Sequence, residues 1–119
     1  MISTHVLDTA KGAPGVGIHV SLSIQSNTSS DDNDAAPVFT PVASGTTNDD
    51  GRLPDWLDGK TLNPGTYRIH FDLEDYLTQN RQPVFYPHAD IVFVVADPAQ
   101  HFHIPLLLSP YGYSTYRGS

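Results

Sequence analysis

The stretch GIHVSLSIQ, residues 17–25, decides how the rest of the chain is read. Ile18, Val20, Leu22 and Ile24 alternate with His19, Ser21 and Ser23, a period of two, which puts the apolar side chains on one face of a strand and the polar ones on the other. Further short apolar runs follow at PVFTPVAS (37–44), GTYRIHFDL (65–73), ADIVFVV (89–95) and HFHIPLLL (101–108). Breakers separate them: Pro14-Gly15, the acidic stretch Asp31 to Asp34, Asp50-Gly51, Pro64-Gly65, Pro87 and Pro98. Only LEDYLTQN (73–80) suits a helix, and a short one. Several strands at this spacing in one small domain predict an all-β sandwich of two antiparallel sheets. The segment SNTSSDDNDAAP is longer and more polar than a hairpin needs, so residues 26–36 are expected to form a mobile, solvated loop.

With 119 residues the chain fits one domain, 1–119, able to bury roughly two-thirds of its unfolded surface. It has no cysteine, which removes disulfides and thiolate chemistry. Thirteen acidic against six basic side chains give a formal net charge of -7, so no Lys/Arg-rich patch exists to neutralise phosphates, and neither nucleic acid nor an anionic membrane is an expected partner. The opening MISTHVLDTAKG lacks a basic flank followed by a long apolar stretch, and no run approaches the ~18 apolar residues of a membrane span. The expectation is a soluble, cytoplasmic protein, with the peroxisome as the alternative, although Arg117-Gly118-Ser119 is unlike the S-K-L import signal.

Six histidines are present. His101 and His103 share a face if 101–108 is a strand, a spacing that metal sites use, but H-x-H alone is weak and no third ligand stands at a fixed offset. His19, His70 and His88 read as ordinary strand residues, and Arg52 in DDGRLP as a turn arginine. Singly, none of them names a function.

Taken together, STHVLDTAKGAPG, TTNDDGR, YPHADIVF and HFHIPLLLSPYGYSTYRGS resemble, in order and over nearly the whole chain apart from 26–36, the transthyretin-related family of 5-hydroxyisourate hydrolases. The closing Tyr116-Arg117-Gly118-Ser119 is the part that separates these hydrolases from hormone-carrying transthyretins. The resemblance implies a prealbumin-like sandwich of two four-stranded sheets with one short helix. It implies hydrolysis of 5-hydroxyisourate, a small-molecule substrate from urate oxidation, to 2-oxo-4-hydroxy-4-carboxy-5-ureidoimidazoline. His5, Arg52, His103 and Ser119 are the implied catalytic set, with Arg52, His103 and Tyr116 touching substrate. It implies a homotetramer with active sites at the dimer–dimer interface, for which the IPLLL run and the aromatic tail are the expected exposed surface. No metal and no organic cofactor are expected, because the bond broken is hydrolytic. The chemistry suits the residues. A neutral histidine, His5 in the first instance, makes water a competent nucleophile, and a guanidinium offers a planar fork of donors to a charged ring oxygen. A ligand carrier on the same fold and a zinc hydrolase using His5, His101 and His103 are the competing readings.

Overall fold

The computed structural model describes residues 1–26 and 38–118, so the 26–36 loop, Ser26 apart, and Ser119 lie outside the described residues. Eight strands and one helix follow in the order β1 (Ile2–Asp8), β2 (Ala13–Pro14), β3 (His19–Gln25), β4 (Phe39–Thr46), β5 (Gly65–Asp72), α1 (Glu74–Gln79), β6 (His88–Val95), β7 (Phe102–Ser109) and β8 (Gly112–Thr115). They form two four-stranded sheets, β2-β1-β7-β8 and β4-β3-β5-β6. The five strands expected from period-two patterning are all present.

The core lies between the sheets. From one side Val20 and Leu22 of β3 and Tyr67, Ile69 and Phe71 of β5 point inward; from the other come Ile2 and Val6 of β1 and Phe102, Ile104, Leu106 and Leu108 of β7. The IPLLL run is therefore not the exposed surface the sequence suggested. Alternate residues of β7 are in the core, and the exposed apolar side chains include instead Tyr111, Tyr113 and Tyr116 of the tail, Phe85, and Val92 and Val94 of β6.

The expectation of two antiparallel sheets needs one correction. β1 runs parallel to β7, in register from Ile2 opposite Phe102 to Asp8 opposite Leu108. A parallel neighbour cannot be reached by a tight turn, and here the connection is nearly the whole chain, so no local hairpin dictates direction. β1 also escaped the apolar pattern because two of its four inward residues are polar. Thr4 is buried and its Oγ1 donates to the Ile104 carbonyl at 2.6 Å. Asp8 is fully buried and accepts from Tyr76 Oη at 2.5 Å, Gln82 Nε2 at 2.8 Å and the Lys11 amide at 3.1 Å. Burial alone would raise the Asp8 carboxyl, but these bonds, with one from the Ala10 amide, outweigh it and hold the group below its ordinary range. Tyr76 is pushed well above its usual value by burial and by Asp8. This network fastens α1, too short at six residues to be stable alone, onto the first strand.

Candidate active site

The outer face of the β1/β7 pair carries the chemistry. In β1 the inward residues alternate with Ser3, His5 and Leu7, which are half-buried on the opposite face. In β7 the same alternation leaves His103 half-buried on that face. The parallel register sets Ser3 opposite His103 and His5 opposite Pro105, so the two histidines stand on adjacent strands two positions out of step.

A turn brings Arg52 to them. Asn48 Oδ1 accepts from the amides of Asp50 and Arg52 at 2.9 and 3.1 Å, and the Gly51 amide donates to the Asn48 carbonyl at 2.9 Å, closing the loop on itself. The Val6 amide then donates to the Gly51 carbonyl at 2.9 Å, which presses the turn against β1 and pairs His5 with Arg52 in an antiparallel bridge. Only glycine fits at position 51: its φ is +74°, and a Cβ there would lie 2.5 Å from the Val6 carbonyl oxygen. The DGR sequence is thus the geometric condition for Arg52 reaching His5.

The tail returns to the same place. After β8, the Gly118 amide donates to the His103 carbonyl at 2.7 Å, forming an isolated antiparallel bridge. A Cβ on Gly118 would sit 2.7 Å from His103 Cδ2, so the glycine of YRGS is what lets the backbone lie against the imidazole. Tyr116 is exposed, and among the described residues no hydrogen bond ties it to the histidines.

Both imidazoles are held toward the neutral form. For His5 the cause is first partial burial and then the positive charge of Arg52; Asp50, through its backbone and its carboxylate, opposes this with less effect. For His103 burial again leads, followed by Arg52, His5 and His101. Two uncharged imidazoles beside a permanent cation are suited to accept a proton and to stabilise developing negative charge. A cavity of about 290 Å³ is lined by Ser3, Asn48, Asp50 and Arg52, though by neither imidazole. A larger one, about 540 Å³, is lined by Trp56, Leu57, Leu62 and Pro98 and contains none of the candidate catalytic side chains, so the chemistry and not the size points to the site.

The structure therefore brings His5, Arg52 and His103 together. His70 and His88 lie on the other sheet, where His70 Nδ1 is 2.6 Å from Asp90 Oδ1 and His88 Nε2 is 3.7 Å from Oδ2. Among the described residues no three His, Asp or Glu side chains gather as metal ligands. Sequence reasoning passed over Ser3, whose Oγ lies 2.8 Å from His103 Nδ1 and 2.9 Å from His101 Nε2. The signal was its position two residues before His5 on a strand, which shares the face.

A family model described as HIUase/Transthyretin family matches residues 2–118. The chain belongs to this family. It is similar to the 5-hydroxyisourate hydrolase of Mus musculus, 42% identical over 120 residues that cover 99% of this chain and 94% of that one. Among solved structures it resembles Klebsiella pneumoniae 5-hydroxyisourate hydrolase, with a TM-score of 0.80, 31% identity and coverage of 99% and 97%. It resembles transthyretin from Sparus aurata to a similar degree, with a TM-score of 0.84, 27% identity and coverage of 98% and 95%. Hydrolase and transthyretin backbones fit equally well, so within this family the side chains of the site must separate the two activities.

Proposed function

We propose that the chain, as one domain over 1–119, is a hydrolase that opens 5-hydroxyisourate to 2-oxo-4-hydroxy-4-carboxy-5-ureidoimidazoline in urate degradation. The observation that carries this reading is the convergence of two neutral-leaning imidazoles, His5 and His103, with the Arg52 guanidinium on one sheet face. His5 removes a proton from the attacking water. The oxygen of the attacked carbonyl gains negative charge, which Arg52 stabilises through its planar donors. The C–N bond then breaks, its electron pair goes to nitrogen, His103 donates the proton carried on its Nε2 there, and His5 releases the proton it took from water to solvent, while His103 regains one from solvent. Ser119 completes the catalytic set as an orienting partner for His5, and Tyr116 contributes to substrate binding. The reaction as written uses no metal and no cofactor, and activity should survive chelation.

The assembly we propose is a homotetramer with the sites between dimers. An exposed aromatic group supports it: Phe85 packs on Tyr86 and Tyr111 with ring centroids 4.8 and 5.8 Å apart, and Tyr86 on Tyr113 at 5.4 Å. Among the described residues no helix is long and apolar enough to cross a membrane. We place the protein in the cytosol, with the peroxisome as the alternative. The deciding experiment supplies hydroxyisourate freshly made by urate oxidation and follows the loss of its ultraviolet absorbance. Decay no faster than the spontaneous rate would end the hydrolase reading.

A further inference from the structure

Among the described residues, one ring nitrogen of His103 has a hydrogen-bond partner and the other has none. Nδ1 faces Ser3 Oγ at 2.8 Å, which leaves Nε2 for substrate. The same hydroxyl faces His101 Nε2 at 2.9 Å. A hydroxyl carries one proton and can donate to only one of the two nitrogens, so the other must hold a proton and donate to it. Exposure rises along the row. Ser3 and His103 are half-buried beside Arg52, whereas His101 is exposed to solvent. The β1/β7 register produces the arrangement, since Ser3 sits directly opposite His103 and His101 is two residues further along the same face.

We propose that Ser3 and His101 form, with His103, a proton relay to solvent that lets His103 take up or give back a proton at Nε2 while remaining uncharged. The proposal rests on the hydrolytic reading above and extends its proton bookkeeping. In the first state His103 holds Nδ1–H and donates it to Ser3, Ser3 donates to His101 Nε2, and His101 holds Nδ1–H. When a proton arrives at His103 Nε2, the Nδ1 proton passes to Ser3 Oγ, the hydroxyl proton passes to His101 Nε2, and His101 releases its Nδ1 proton to water. One proton has entered and one has left. The reverse shift draws a proton from water at His101 and delivers one from His103 Nε2 to a leaving nitrogen. Partial burial first, and then the facing Arg52, His5 and His101, disfavour an imidazolium at His103. A relay avoids that charged state. Ser3 and His101 are thus relay residues, and only His103 meets the substrate.

The test compares Ser3→Ala, Ser3→Thr and His101→Gln with the wild type in hydroxyisourate turnover at low and high imidazole buffer. The glutamine retains a hydrogen bond to Ser3 but cannot pass a proton. We expect His101→Gln and Ser3→Ala to lose at least ~10-fold in kcat at low buffer with KM little changed, part of the loss returning with added imidazole, and Ser3→Thr to stay near wild type. Full activity of His101→Gln at low buffer, or a loss that no buffer restores, overturns the relay and leaves Ser3 a merely orienting contact. An inactive wild type would instead remove the hydrolase reading. The relay then stands or falls on nitrogen-15 NMR of His103: both neutral tautomers populated in wild type and one in His101→Gln supports it, and a single tautomer in both refutes it.

Discussion

Replacing Gly118 by alanine tests whether the tail positions His103. Gly118 is not in the left-handed backbone region, so alanine is conformationally allowed, and the difficulty is space alone. The new Cβ would meet His103 Cδ2 at 2.7 Å, Cβ at 3.2 Å and Cγ at 3.3 Å. Carbon atoms settle at about 3.5–4.0 Å, so the ring or the tail must yield by roughly 1 Å. A misplacement of about 1 Å in a catalytic group costs on the order of 100-fold in rate, or about 2.7 kcal/mol in the barrier. Stability should barely change, because the tail contributes little to the core, and a fall in Tm of no more than about 5 °C is expected. The assay pairs hydroxyisourate turnover with a thermal melt. Gly112→Ala is the control, since a Cβ there meets nothing within 4 Å. Turnover of Gly118→Ala within about threefold of wild type would show that the contact of tail and imidazole has no bearing on catalysis.

Arg52→Lys keeps the charge but loses the planar donor fork, and should lower kcat/KM by about 10-fold to 100-fold with an unchanged circular dichroism spectrum. Asp8→Ala leaves the Tyr76 hydroxyl and the Gln82 amide without their buried acceptor and should lower unfolding stability by roughly 2–4 kcal/mol in urea titrations, with α1 the first element to lose amide protection. His5 and His103 bind protons less readily folded than unfolded, so their contribution to stability is fully present above the unfolded value of 6.5 and is lost as pH falls from there through the lower folded values. Urea midpoints of wild type should therefore drop more steeply below pH 6.5 than those of a His5→Gln/His103→Gln variant, and for the same reason kcat/KM of wild type should hold on going from pH 7 to 6.5.

The strands with strict apolar alternation were legible in the sequence because burial on one face imposes that alternation directly. β1 was not, because Thr4 and Asp8 point inward and their side-chain hydroxyl and carboxylate are tied to Ile104, Tyr76 and Gln82, about 70 to 100 residues away, which no local window contains. Its parallel pairing with β7 was hidden for the same reason. The proposed catalytic trio was legible only through the order of four motifs: DGR marks a turn by itself, but nothing in that tripeptide tells which strand the turn will press against. The contact of Ser3 with both His101 and His103 depends on register between distant strands, and a one-residue slip would have turned Ser3 into the core.

The pairing of β1 with β7 has a kinetic consequence. Thr4 reaches Ile104 across 100 residues of sequence, and His5, Arg52 and His103, the candidate catalytic groups among the described residues, sit on or against that one ladder. Closing so long a loop is entropically costly before its contacts form, which places such pairings among the slow events of folding. The sheet of β3, β4, β5 and β6 can form from strands nearer in sequence, while the candidate catalytic face cannot exist until β7 is available to β1. A refolding experiment that records both far-ultraviolet dichroism and turnover should see strand signal return before activity, and a chain emerging from the ribosome would carry half of its sandwich while still chemically silent.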